Sequence, residues 1–509
     1  MTPEQKGHLP IQIEKLFYDL QDRIFSDVVR RIRKTGEITS SADYQIHKLE
    51  ILGNSTEFIE QEIKRLLDAS DPEIWELYDK VANWEYVRYR DAYEQINRQF
   101  IPLADNDLIQ QWGQAIIRQT KGDIANITRS MGMSVSIGGG KKAFTPLSEY
   151  YQRYLDRACM DIVTGAFDYN TVLRRVVKEM ADSGIRSVNY ASGWNNRVPV
   201  AARRAVMTGV SQLSAQINEQ VAKDLGTDKY EVTWHAGHRP THWWGGKIYN
   251  RNELELVCGL GDVGGLCGAN CRHSYYAFIE GVSVPNYTAG ELRELEEKEA
   301  QTHTYKGKEY NAYQAAQAQR QMETQMRAQR AKVKQLQAGG AEQEAINSAK
   351  TRYLHTLKQY QGFSKKMKIP EQMERVYMDG LGRVAPGKST YQKTIVKERQ
   401  NVILKEKLKE AGLKGKINTT PAKIDMKSLT FDDAHINGER GHKVTFEEAK
   451  SFIQNARFSE TVWKGRFERY YSTEGVAYVN KNNLQIRTAY KPDEFTKVVK
   501  RVMEVLNSE

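Results

Sequence analysis

A chain of 509 residues is long enough for about three domains, and its 40% hydrophobic content supports buried cores, yet no apolar run approaches the ~18 residues that span a bilayer. Lys and Arg outnumber Asp and Glu by 75 to 64, a net charge of +11 that favours polyanionic partners, nucleic acid among them, and equally serves solubility. Four cysteines do not make a disulfide framework at this length and point to a reducing compartment, and the start, Met1 to Lys6, has neither the charged nor the apolar part of a signal peptide.

Residues 11–34 set Ile13, Phe17, Leu20, Ile24 and Val28 three or four apart on one helix face, with Pro10 before and Gly36 after as start and stop signals. A second helix is expected over 55–67. A third starts at Pro72 and carries an aromatic stripe, Trp75, Tyr78, Tyr86, Tyr89 and Tyr93, at the spacing that builds core. Helix continues over 106–131. The run Gly138-Gly139-Gly140-Lys141-Lys142 then breaks the pattern and reads as a loop, because a phosphate cradle needs a strand before it and a helix after it. Helices resume over 147–159, 169–183 and 198–225; the last has the length of a rod between subunits and the patterning of an ordinary bundle helix.

The most tightly specified stretch follows, from Trp234 to Gly281. It gathers His235, His238, His242, Trp243, Trp244 and three of the cysteines among closely spaced glycines, a composition that suits a small, loop-rich α+β unit. Thiolate and imidazole are ligands that zinc prefers, and a closed metal site can stand in for a small core. The candidate set is Cys258, Cys267, Cys271 and His273, with His235, His238 and His242 competing for the fourth place; the spacing is not that of a standard finger. Alternatively, reduced cysteines and paired indoles simply pack a core, and the histidines make ordinary hydrogen bonds.

The segments His235 to His242 and Asn270-Cys271-Arg272-His273 resemble the signature of the phage head-morphogenesis family, specifically phage minor capsid protein 2, and the resemblance extends to about Phe363. It implies a virion component, made in the host cytoplasm, that associates with portal and capsid proteins and acts in assembly or early DNA delivery.

After Pro285 the sequence reads as charged helix and then as an antiparallel helical hairpin turning at Gly339-Gly340. A basic linker over 364–424 holds one helix near 396–411. Within it, Gly382 to Ser389 matches the phosphate-loop expression literally, but the polar residues before it are unlike a buried strand.

From 425 onward helix and strand alternate. Thr445 and Glu448 stand in capping-box register, and residues around 465–472, 475–479 and 484–490 read as three strands of an antiparallel meander before a last helix over 492–506. His435 and His442 precede the sheet. Metal-free RNA cleavage needs a base for the ribose 2′-proton, an acid for the leaving oxygen and cations around the phosphorane. The two histidines suit the proton transfers and Arg466 or Arg469 the charge, with Thr488 and Tyr490 contacting phosphate or base. The wet-face alternative is that these are exposed polar residues of a sheet. The order His, Gly-His-Lys, helix, meander and Ile486-Arg487-Thr488-Ala489-Tyr490 is similar to phage-borne nucleases of the barnase, EndoU, colicin and RelE fold. Carried over, the resemblance implies a cofactor-free active site of His435, His442, Thr488 and Tyr490, with Lys443 or Lys450 as its lysine.

The expected architecture is therefore a mainly α N-terminal and central region (1–230), a small Cys/His α+β module (231–285), a helical hairpin (286–363), the linker (364–424) and a C-terminal α+β domain with an antiparallel, barnase- or EndoU-like sheet (425–509). The expected function is a phage minor capsid protein with an RNase-like effector domain. Two competing expectations are a purely structural virion protein whose last domain binds RNA or a partner without cutting, and a factor that binds phage DNA during ejection.

Overall fold

The computed structural model describes residues 1–38, 41–189 and 193–507, and helix dominates it. Helix Val198–Leu225 runs through the centre. Pro199 sits in its first turn, where amides lack intrahelical partners, and Gly226 closes it at a φ of 72°, a conformation that side-chain-bearing residues rarely adopt. Buried residues cover most of this helix, leaving Thr208, Gln212 and Gln216 exposed along one side, and it packs against helices Ile11–Thr35, Ser55–Tyr86 and Asp107–Arg129. Within the chain it serves as a bundle helix. Gly209 permits the closest approach: a Cβ there would stand 2.1 Å from the Tyr78 hydroxyl, which meets Thr120 Oγ1 at 2.7 Å and donates to the Val206 carbonyl at 3.3 Å.

Helix Ser55–Tyr86 joins what the sequence divides in two, for Pro72 lies inside it. An internal proline removes one hydrogen bond and costs about 3 kcal/mol. Here Leu66, Ile74, Leu77, Tyr78 and Val81 continue one buried stripe across it, and that packing outweighs the loss. Trp75 departs from the expected stripe and is exposed. The glycine-lysine run is the tip of a hairpin, as its loop reading required: Met131–Gly138 and Lys141–Pro146 pair antiparallel around Gly139 and Gly140, both at positive φ.

The helical hairpin comprises Ala312–Ala338 and Gln343–Met367. Its fully buried Arg330 makes two 2.7 Å bonds to the Asp379 carboxylate and donates to the Gly382 carbonyl at 2.9 Å. The phosphate-loop lookalike is thus stapled to the hairpin by its first residue, and the turn Tyr377–Asp379 stands before it where a buried strand is needed.

The C-terminal meander is part of a larger sheet of six strands, in the order Lys416–Asn418, Phe458–Val462, Phe467–Tyr471, Val476–Asn480, Gln485–Tyr490 and Thr430–Phe431. All neighbours run antiparallel except the last pair, which is parallel. Alternation along the strands splits the core in two. Phe458, Tyr471, Val476 and Tyr490 pack under helix Lys497–Asn507, whereas Tyr470, Ala477, Ile486 and Ala489 pack under helix Phe446–Gln454. The first cluster also takes Leu408, Ala411 and Leu413, so this unit recruits chain from before residue 425. No helix among the described residues is long and apolar enough to cross a membrane.

Candidate functional site

The His/Cys module is built on three short antiparallel strands, with Lys229–Val232 between Ile248–Asn250 and Tyr275–Ala277. The chain between them has little regular structure and is held by backbone bonds such as Gly246 N to Val232 O and Thr233 N to Ser274 O, both 2.9 Å. Glycine is required at Gly265, where a Cβ would fall 2.0 Å from the Gly259 carbonyl oxygen. These constraints fold residues 257–274 back over the strands and deliver Cys271 and His273 to His242, about thirty positions earlier.

His242, Cys271 and His273 are all buried, and their ligand atoms converge. His242 Nδ1 and His273 Nδ1 stand 3.4 Å apart, Cys271 Sγ lies 3.5 Å from His273 Nδ1, and it lies 3.9 Å from His242 Nδ1. On its far side the His242 ring meets the Gly264 carbonyl through Nε2 at 2.9 Å. A carbonyl oxygen can only accept, so Nε2 carries the proton and Nδ1 offers its lone pair to the cluster. Trp244 stacks on His242 at 4.6 Å and also borders His273, shielding both rings from solvent. Burial holds the His235 imidazole down at about 3, drives His273 lower still and depresses His242, which keeps all three neutral near pH 7.

Sequence reasoning placed Cys271 and His273 in a metal set and the structure brings them together. Of the two remaining thiols, neither Cys258 nor Cys267 belongs to the converging group, and His242 takes the third place. Cys258 is buried with its thiol pushed up to about 12; Cys267 points to the His273 carbonyl at 3.8 Å with its thiol pushed up to about 11. The His235 ring lies 4.3 Å from that of His273, tilted by 35°, and the His238 ring is 6.1 Å away.

In the C-terminal unit, His435 and His442 have separate carboxylate partners. His435 Nδ1 meets Glu439 and His442 Nδ1 meets Glu494, each at 2.6 Å. The His442 ring lies 5.7 Å from the Tyr490 ring, whose hydroxyl is 3.3 Å from that of Tyr478. Tyr478 pairs with Thr488 across the strands, and Arg469 lies over Tyr478 at 4.6 Å while donating to Glu460 at 3.3 Å. His442, Tyr490, Tyr478, Arg469 and Glu460 thus form a chain of contacts. His435 sits instead beside Asp432, the partner of Arg487. Arg466 is exposed and its guanidinium lies 6.0 Å from the Phe467 ring, so of the two candidate arginines Arg469 is the one in the chain. Lys450 pairs with Glu447 at 3.0 Å, whereas Lys443, adjoining His442, is exposed at a φ of 52°. Sequence reasoning missed Glu460 and Tyr478, whose signal was their direct register with Arg469.

Comparison with known proteins resolves the first of these regions. The family model of phage minor capsid protein 2 matches residues 1–363, which include the bundle, the His/Cys module and most of the helical hairpin. The chain belongs to that family. No curated protein and no solved structure matches it. As a member of a phage capsid family, this minor capsid protein has a structural role in the virion.

The matched region ends before the C-terminal sheet. A cleft of about 1520 Å³ separates the two, bordered by helix Tyr169–Ser183 and the helical hairpin on one side and by Glu460, Arg469 and Tyr478 on the other. Among the described residues lining it, twelve are Lys or Arg and five are Asp or Glu, an excess that gives the cleft a positive potential.

Proposed function

We propose that this minor capsid protein joins portal and capsid proteins through its helical body and carries a metal-independent, RNase-like effector of barnase or EndoU type at its C-terminal end. A structural zinc ion in the His/Cys module belongs to the same reading. The observation that carries the effector half is the chain from His442 through Tyr490 and Tyr478 to Arg469, opening on a cation-rich cleft. Glu494 fixes His442 at Nδ1, leaving Nε2 to take the ribose 2′-proton. Arg469, and not the exposed Arg466, would face the phosphorane charge. Thr488 and Tyr490 supply hydroxyls beside it; His435, which stands outside this chain beside Asp432, would have to move toward it to serve the second proton transfer.

The experiment is incubation of the full chain with total RNA in the presence of a chelator, beside His442→Ala, His435→Ala and Tyr490→Phe. Cleavage by the unsubstituted chain that falls at least a hundredfold in His442→Ala is the expected result. Background-level cleavage by every form removes the enzyme.

The cleft favours a second reading, in which the same surface holds RNA or phage DNA without cutting it. Binding without cleavage, weakening steeply as salt rises, selects that alternative, because each phosphate contact releases a counterion. Comparing RNA with DNA then separates an RNA-binding domain from an ejection factor.

A further inference from the structure

Building on the zinc reading of the module, we infer that the ion is held by His242 Nδ1, Cys271 Sγ and His273 Nδ1, and that it locks residues 257–274 and the first helical turn of the chain to the module's sheet. A tetrahedral zinc ion has bonds of about 2.0–2.1 Å to nitrogen and 2.3 Å to sulfur, which puts two ligand nitrogens about 3.3–3.4 Å apart and a nitrogen and a sulfur about 3.5–3.6 Å apart. The three separations are 3.4 Å between the nitrogens and 3.5 and 3.9 Å from the sulfur. Two of the three match the edges of a ligand tetrahedron, and the one between His242 Nδ1 and Cys271 Sγ is a few tenths of an ångström longer.

Hydrogen bonding alone leaves this cluster poorly satisfied. His242 Nδ1 carries a lone pair, since its Nε2 proton goes to Gly264. Its best donor in the cluster is His273 Nδ1 at 3.4 Å, too long for a good N–H···N bond. His273 is fully buried, and its Nε2 has no hydrogen-bond partner. An orphaned buried polar atom costs about 1–3 kcal/mol, and retaining it is reasonable only where the other ring nitrogen gains more than that. A metal bond at Nδ1 provides such a gain. The Gly264 contact is the kind of outer partner that fixes a ligating imidazole's tautomer, and Trp244 closes the site on one side.

The consequences reach beyond the loop. The His273 carbonyl accepts a 2.7 Å bond from Lys6 Nζ, itself fully buried, and Lys6 also meets Ser274 Oγ at 3.3 Å. Helix Pro3–His8 is thereby tied to the strand that leaves the site. Among the described residues no fourth side chain joins the group, and Cys258 and Cys267 lie outside it.

The test is elemental analysis of the full chain purified without added metal, together with Cys271→Ser, His242→Ala, Cys258→Ser and Cys267→Ser, followed by exchange of the unsubstituted chain into Co²⁺. The expected result is one zinc per chain, lost in the first two variants and kept in the last two, with a tetrahedral Co²⁺ spectrum showing a thiolate-to-metal band. Absence of both zinc and Co²⁺ binding overturns the zinc reading itself. Zinc that persists in Cys271→Ser, or that leaves with Cys258→Ser or Cys267→Ser, overturns the ligand set while leaving a metal in the module. Should Cys271→Ser fail to fold, the Co²⁺ spectrum of the unsubstituted chain decides, and a spectrum without the thiolate band refutes the assignment.

Discussion

Gly209 shows how little room the bundle has at a single position. Adding one methyl group there drives it into the Tyr78 hydroxyl and also to 2.9 Å from Ile116, and neither neighbour is at the free end of a flexible chain. Overpacking of this kind typically costs about 1–3 kcal/mol. Gly209→Ala is accordingly expected to lower the denaturant midpoint without changing the slope of the transition, whereas an unchanged midpoint would mean that the two helices can separate freely. Nothing local in the sequence announces that Tyr78, 131 positions earlier, occupies the space beside this glycine. The converging ligands were half legible for the same reason. Cys271 and His273 are two residues apart and drew notice together; His242 joins them only through the folding of the loop, and Cys258 attracted a role by composition that geometry does not give it.

Elements were legible in proportion to their length and to the clarity of their ends. Helices Tyr169–Ser183 and Val198–Leu225 match their expected bounds because apolar periodicity, an N-terminal cap or proline and a C-terminal glycine agree. Strands Lys416–Asn418 and Thr430–Phe431 escaped, being three and two residues long and without an alternating run. Helix Phe446–Gln454 carries a prediction of its own. Its capping residue Glu448 is held at about 2, first by the Lys491 ammonium and then by the Thr445 amide, against an ordinary 4.5. A carboxyl depressed on folding stabilises the fold above its unfolded value and loses that contribution as pH falls toward its folded value. Glu448→Gln should therefore melt earlier than the unsubstituted chain at pH 7, with the gap shrinking between about pH 4.5 and pH 2. Thermal melts at the two limits check this, and a gap that persists at pH 2 would assign the effect to side-chain shape.

At the scale of the whole molecule, the apolar clusters of the C-terminal sheet share no buried residue with the large cluster of the body. Their mutual face is instead the cation-rich cleft, crossed by polar pairs such as Lys423 with Glu342. Polar contacts across a solvated cleft couple two units weakly. Calorimetry should then resolve two unfolding transitions, and high salt should separate them further by screening the pairs; a single transition at every ionic strength would make the molecule one cooperative unit. The family match ends at residue 363, whereas the body's core runs on to Val376 and Val384 and the C-terminal cluster begins near Leu408.

The buried Lys6 gives the molecule one more property. Its ammonium reads the peptide oxygen that follows Cys271 and Arg272, so chemical damage at one sulfur would be felt directly by residues more than 250 positions away along the chain. A change that displaces the His273 peptide would therefore remove a bond on which both the opening helix and the loop depend.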